Sequence, residues 1–279
     1  MGSGLDAGTT PPHPVRVPDP HVQALYYRFK SLSGLDAFDK AVPLSGALGD
    51  FDFTLESAVL VAHPRTQFPD RESARDALEP YLRSWERGAF LSSSNHRIEF
   101  EYDHDDIIDR DPDPGSITVY PETIQVRAMA FDATIKRDNG RYPEPDPTFV
   151  TTPLTDRLAE RLRRVRDGGA EVPAAAYTVL TALEAGYGGG GKGARKKAAV
   201  ALSVDLEILR TLGELTDRRD PDVGRKAGTT PVPFTAAELW WLRDAMELLI
   251  RRTGELAAGT AIRQLSMNDL PSPYGSGGR

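Results

Sequence analysis

Asp138-Asn-Gly-Arg-Tyr-Pro-Glu-Pro-Asp-Pro-Thr-Phe-Val-Thr-Thr-Pro153 is the stretch that divides this chain. Its four prolines bar both a helix and a central strand, because each removes a backbone donor and fixes φ. It reads as a proline-rich linker over 138–153, docked or free. The periodicity of apolar residues differs on its two sides, and that change determines the fold class.

Before the linker the signal has period two. Leu25-Tyr-Tyr-Arg-Phe29, Phe51-Asp-Phe-Thr-Leu55, Val59 to Ala62, Arg97-Ile-Glu-Phe-Glu-Tyr102 and Thr123 to Phe131 are rich in aromatic and β-branched residues, and turn residues bound them. One helix interrupts them. From an N-cap at Asp70, apolar residues fall at Ala74, Ala77, Leu78, Tyr81, Leu82 and Trp85, on one helical face. Pro80 lies inside this helix and predicts a kink or a break. Residues 21–137 therefore read as a small antiparallel α+β domain with one face of its sheet covered.

After the linker the period is 3.6. Leu154, Leu158, Leu162 and Val165 form one stripe, and Arg157, Arg161, Arg163, Arg164 and Arg166 lie opposite. A second helix opens at Pro173 and stops at Gly186; a third runs from Ala194 to Leu215 with two apolar stripes. The last starts at the capping box Thr235-Ala-Ala-Glu238 and continues to Leu256. The fold class is thus α+β: the N-terminal antiparallel domain followed by a bundle of about four helices over 154–259. Residues 1–20 and 260–279 read as disordered tails, being rich in Pro, Gly and Ser.

The 279 residues carry 34 Lys or Arg against 41 Asp or Glu, a net charge of −7, and no cysteine, so disulfides and thiolate chemistry are excluded. No run approaches the roughly 18 apolar residues of a membrane helix, and no secretory leader is recognisable, so a cytoplasmic location and no membrane partner are expected. The segment Leu209-Arg-Thr-Leu-Gly-Glu-Leu-Thr216, with Arg225-Lys226, Thr235 to Leu242 and Leu249-Ile-Arg-Arg252, resembles the C-terminal end of a group of uncharacterised bacterial proteins. That resemblance covers about a fifth of the chain and implies a recurring helical unit, with no activity attached to it.

Catalytic templates fail at necessary positions. Gly186 to Gly193 fits a phosphate loop up to Lys192, but Gly193 stands where Ser or Thr must hold magnesium, and a helix rather than a strand precedes it. Lys192, Arg195, Lys196 and Lys197 remain as anion-binding candidates at a helix N-terminus. Asp109, Asp111 and Asp113 begin like a calcium loop, yet Pro114 occupies the place of the turn glycine and Tyr120 that of the closing acid. His104-Asp105, with His63 upstream and Asp132 downstream, has the residue types and order of an HD-type phosphohydrolase, a fold that is all-helical. No histidine follows His104, there is no His-Glu-x-x-His, and Ser92 to His96 lacks a nucleophile elbow.

Two functional expectations follow. The preferred one is a non-enzymatic binding or scaffold protein that acts through a protein partner, with no cofactor; Trp240 and Trp241, adjacent on one helix and about 100° apart, are its interface candidates. The rival is a metal-dependent phosphate or phosphodiester hydrolase in which His104, Asp105 and Asp109 hold the metal while Lys192 and Arg195 grip phosphate. A nucleic-acid-binding accessory protein is a further alternative, because residues 157–226 hold 14 basic against 10 acidic side chains.

Overall fold

A computed structural model describes residues 19–32, 38, 41–92, 97–109, 141–219, 233–260 and 262–273. The expected strand at Thr123 to Phe131, the tail before Asp19 and Asp132 lie outside them. Five strands, β1 (Pro20–Ser31), β2 (Leu44–Leu48), β3 (Phe51–Glu56), β4 (Val59–Pro64) and β5 (Ile98–Asp109), form one antiparallel sheet in the order β2-β3-β4-β1-β5. Helix α1 (Arg71–Ser92) covers one face. Alternation does the sorting: in β3, Phe51, Phe53 and Leu55 are buried and the residues between them are exposed. Strand β2 was not anticipated, since Leu44-Ser-Gly-Ala-Leu48 carries little β-propensity and is held by its pairing with β3.

Asp70 caps α1 as expected, its carboxylate accepting the Ser73 N–H at 2.8 Å. The break expected at Pro80 does not occur. The helix is continuous through it because Pro80 lies on the exposed side, where a carbonyl left without its amide can be hydrated. Tyr81, expected inward, is instead half exposed and lies over Gly49 in the β2–β3 turn.

The helical half consists of α2 (Pro153–Arg166), α3 (Val172–Gly188), α4 (Ala194–Ala201), α5 (Leu206–Arg219) and α6 (Ala236–Ala257). The helix expected from Ala194 to Leu215 is two. Leu265 intervenes: Asp205 N–H donates to its carbonyl at 2.7 Å, and its own N–H donates to Ser203 at 3.0 Å. Asp205 then accepts the Glu207 N–H and opens α5. The same contact corrects the expected C-terminal tail, because Leu265 is buried in the bundle core and Arg252 donates to the Arg263 carbonyl at 2.9 Å. A tail without apolar mass would not pack; Leu265 at the break between α4 and α5 anchors this one, and Met267 and Leu270 pack against the same core.

The two halves share α1. Ala74, Leu78, Leu82, Trp85 and Ala89 belong to the sheet core, whereas Phe90 and Leu91 belong to the bundle core. The described part of the proline-rich stretch is docked along this helix. Tyr142 is buried in the sheet core, its hydroxyl accepting from Ala58 N–H at 2.9 Å, and Trp85 donates its indole N–H to the Pro143 carbonyl at 2.7 Å. Phe149 is buried in the other core, its ring resting on Gly88 of α1 and Gly254 of α6. A Cβ on Gly254 would lie 2.1 Å from that ring, so the position admits only glycine while the ring stays. Phe149→Ala is expected to lower the unfolding free energy by about 3–5 kcal/mol, read from urea midpoints by circular dichroism. A loss below about 1 kcal/mol would mean that the two cores are joined without it.

Candidate functional site

The described part of the acidic stretch, up to Asp106, does not converge on a point. His104 and Asp105 are neighbours on β5, and successive side chains of a strand point to opposite faces. His104 is on the solvent face, stacked on Tyr26 with ring centroids 4.1 Å apart, and its Nδ1 lies 3.0 Å from Asp103. Asp105 is on the helix-covered face, where it accepts a short hydrogen bond from the Tyr102 hydroxyl and lies 3.5 Å from Arg71 Nε. Asp109 ends the strand opposite Pro20, five residues or roughly 17 Å beyond His104 at the rise of an extended chain. The structure therefore sets His104 and Asp105 on opposite faces of the sheet, with the backbone of Asp109 at the far end of the strand. Among the described residues no group of three His, Asp or Glu is placed to hold a metal ion.

The glycine-rich turn between α3 and α4 carries Lys192, and Lys196 and Lys197 follow on α4. Gly189, Gly190, Gly191 and Gly193 all have φ between 71° and 81°, a left-handed path that only glycine takes without strain. Lys192, Lys196 and Lys197 are exposed around it. Arg195 is engaged elsewhere. Its Nε donates to Glu184 of α3 at 2.6 Å, and its guanidinium fills the space beside Gly213 of α5, so it braces three helices. Of the tryptophan pair, Trp241 is wholly buried in the bundle core and Trp240 is 60 % exposed, with the Arg243 guanidinium 5.2 Å from its ring. Of the pair, only Trp240 presents its ring to the surface.

A different site emerges from α2 and α3. Thr152 caps α2 by accepting the Thr155 N–H at 3.1 Å, Pro153 begins the helix, and the buried hydroxyls of Thr155 and Thr253 share a hydrogen bond that ties α2 to α6. A short turn then returns the chain, so that Leu154 meets Gly186 and Arg161 reaches Thr178 at 3.4 Å, an antiparallel pair. Between them runs a groove of about 840 Å³ floored by Leu154, Leu158 and Ala182. Arg157, Arg161 and Arg164 rim it at i, i+4 and i+7 of α2, hence on one side.

The five arginines of α2 divide by what they touch. Arg166 is nearly buried, donating to the Phe90 carbonyl at 2.7 Å and to Glu247 at 2.5 Å, and Arg163 holds Glu160 and Asp167. Arg164 shares Glu160 at 3.3 Å. Arg161 has the Thr178 hydroxyl, and among the described residues Arg157 has no carboxylate partner within 4 Å. Arg157 also faces a second cleft of about 650 Å³ against Arg83, Asp156 and Thr151. The face was legible as a basic stripe, but the groove beneath it was not, because it exists only where α3 returns alongside.

Glu160 is the acid of this rim. Hydrogen bonding from Arg163, helped by Arg164, holds its carboxyl at about 2 against an ordinary 4.5. The chain matches no protein-family model, no curated protein and no solved structure, so the chemistry rests on these residues. Because the folded-state value is depressed, Glu160 stabilises the fold fully above about pH 4.5, and that contribution is lost as pH falls toward 2. Urea midpoints of wild type and Glu160→Gln should therefore differ at pH 7 and converge near pH 2.

Proposed function

We propose that this chain is a non-enzymatic, cytoplasmic binding protein that acts through a protein partner engaged by its helical half. The observation that carries the reading is the α2–α3 groove: an apolar floor open to solvent, rimmed by Arg157 and Arg161, whose charges no carboxylate among the described residues neutralises. A guanidinium beside apolar surface is a common anchor at protein interfaces, where Arg and the aromatics are enriched. Exposed Trp240 supplies a second anchor of that kind. The placement of His104 and Asp105 on opposite faces of the sheet weighs against the rival hydrolase. Among the described residues no helix is long and apolar enough to cross a membrane.

One observation favours a nucleic-acid reading as the alternative: Lys192, Lys196 and Lys197 stand exposed about one glycine-rich turn, free to meet phosphates. The groove, by contrast, has no aromatic side chain on which a base could stack.

Affinity purification of the full chain from its native host at low salt, with and without nuclease, separates the readings. A stoichiometric protein that survives nuclease is expected, and its retention should be unchanged by His104→Ala and Asp105→Ala. Retention of nucleic acid alone, lost on neutralising Lys196 and Lys197 together with the salt slope of binding, would replace the reading with the alternative. Turnover of a phosphodiester panel that both His104→Ala and Asp105→Ala abolish would overturn it.

A further inference from the structure

We infer that the α2–α3 groove docks one amphipathic helix of a protein partner, with acidic side chains along the flank that meets α2. The inference rests on the binding reading above and names the chemistry of the ligand.

Shape and charge both favour that occupant. From Leu154 to Arg164 the groove follows α2 for eleven residues, about 15 Å or three helical turns, enough for apolar anchors at i, i+3 or i+4 and i+7. On the α3 side the walls are Thr178, Ala185 and Gly186, side chains short enough for a third helix to settle at close range over Leu154, Leu158 and Ala182. The two flanks differ in charge. Along α2, Arg157, Arg161 and Arg164 recur at the spacing of one helix face, against Glu160 alone, and Glu160 already serves Arg163 and Arg164. Along α3 the only charge is Glu184, and Arg195 has taken it. A helix with carboxylates at i, i+4 and i+7 on one flank would therefore pair with α2, and its neutral flank would lie on α3. The asymmetry sets its rotation in the groove. A nucleic acid would satisfy the arginines but leave the apolar floor uncovered.

The test uses a displayed library of 16-residue helix-forming peptides with leucine fixed at i, i+3, i+4 and i+7 and Glu, Gln or Lys at the flanking positions, selected on the full chain. Glutamate should be enriched along one flank. A selected peptide, measured by fluorescence anisotropy, should lose at least tenfold in affinity to the R157E/R161E protein, and selection on that protein should enrich lysine instead. The reversed preference requires a folded protein, so unfolding of the variant cannot imitate it. Ala182→Trp, which fills the floor without changing charge, should also block the peptide.

No enrichment, or enrichment indifferent to both the charge reversal and Ala182→Trp, overturns the assignment. So does displacement of the peptide by a 20-base-pair duplex that itself binds with a steep salt slope, or sedimentation of the chain as a dimer that Ala182→Trp dissociates. If the partner retained in the purification above stays bound to Ala182→Trp, the groove is not its dock and the binding reading stands. If no protein is retained at all, it is the binding reading that fails.

Discussion

Helix α1 lies in two hydrophobic cores at once, and every other contact between the halves of this chain depends on that. Its first five turns present Ala74, Leu78, Leu82, Trp85 and Ala89 to the sheet, and its last turn presents Phe90 and Leu91 to the bundle. A helix buried by both partners cannot shift relative to either without exposing apolar surface at about 25 cal/mol per Å². Phe149 closes the joint from the other side, seated where α1 and α6 each provide a glycine. The segment before it turns at Asp146, whose carbonyl accepts the Phe149 N–H at 3.2 Å, and Tyr142 reaches one core while Phe149 reaches the other.

Polar contacts along this joint follow the packing and set its register. Arg87 meets Asp156 at 2.7 Å, Arg97 meets Asp167 at 3.0 Å, Arg251 meets Asp146 at 2.8 Å, and Thr151 N–H donates to Ser84 at 2.9 Å. Partly exposed pairs of this kind contribute roughly 0–1 kcal/mol each, so they orient the halves more than they hold them. Arg166 differs, being nearly enclosed, with its guanidinium 4.3 Å from the Phe90 ring and hydrogen-bonded to the Phe90 carbonyl. The charge of α2 is thereby divided: Arg163 and Arg166 are used up in structure, and Arg157 and Arg161 have no carboxylate partner among the described residues.

Much of the fold was legible because it is local. The period-two strands around Phe53 and Phe29, the stripe of α1 and the capping box at Thr235 all concern residues within a few positions of one another, and the structure has each of them. Where the reading differed, a distant residue decided. Leu265 splits the helix expected from Ala194 to Leu215, β3 recruits Leu44–Leu48 into the sheet, and solvent beside Pro80 lets α1 continue. The candidate metal site met the same limit in reverse: His104 and Asp105 are adjacent in the chain, and the pleat of β5 separates them.

The sequence by itself determined the α+β class, the change of period at the proline-rich stretch and the arginine stripe of α2, because each is a property of backbone preference and side-chain spacing along one segment. Only the tertiary structure decided that α1 is common to both cores, that Trp241 is core and Trp240 surface, and that Arg157 and Arg161 overlook a groove. Those outcomes depend on which apolar faces meet. Burial is a non-directional gain shared among segments far apart in the chain, and spacing along one segment does not encode its partner.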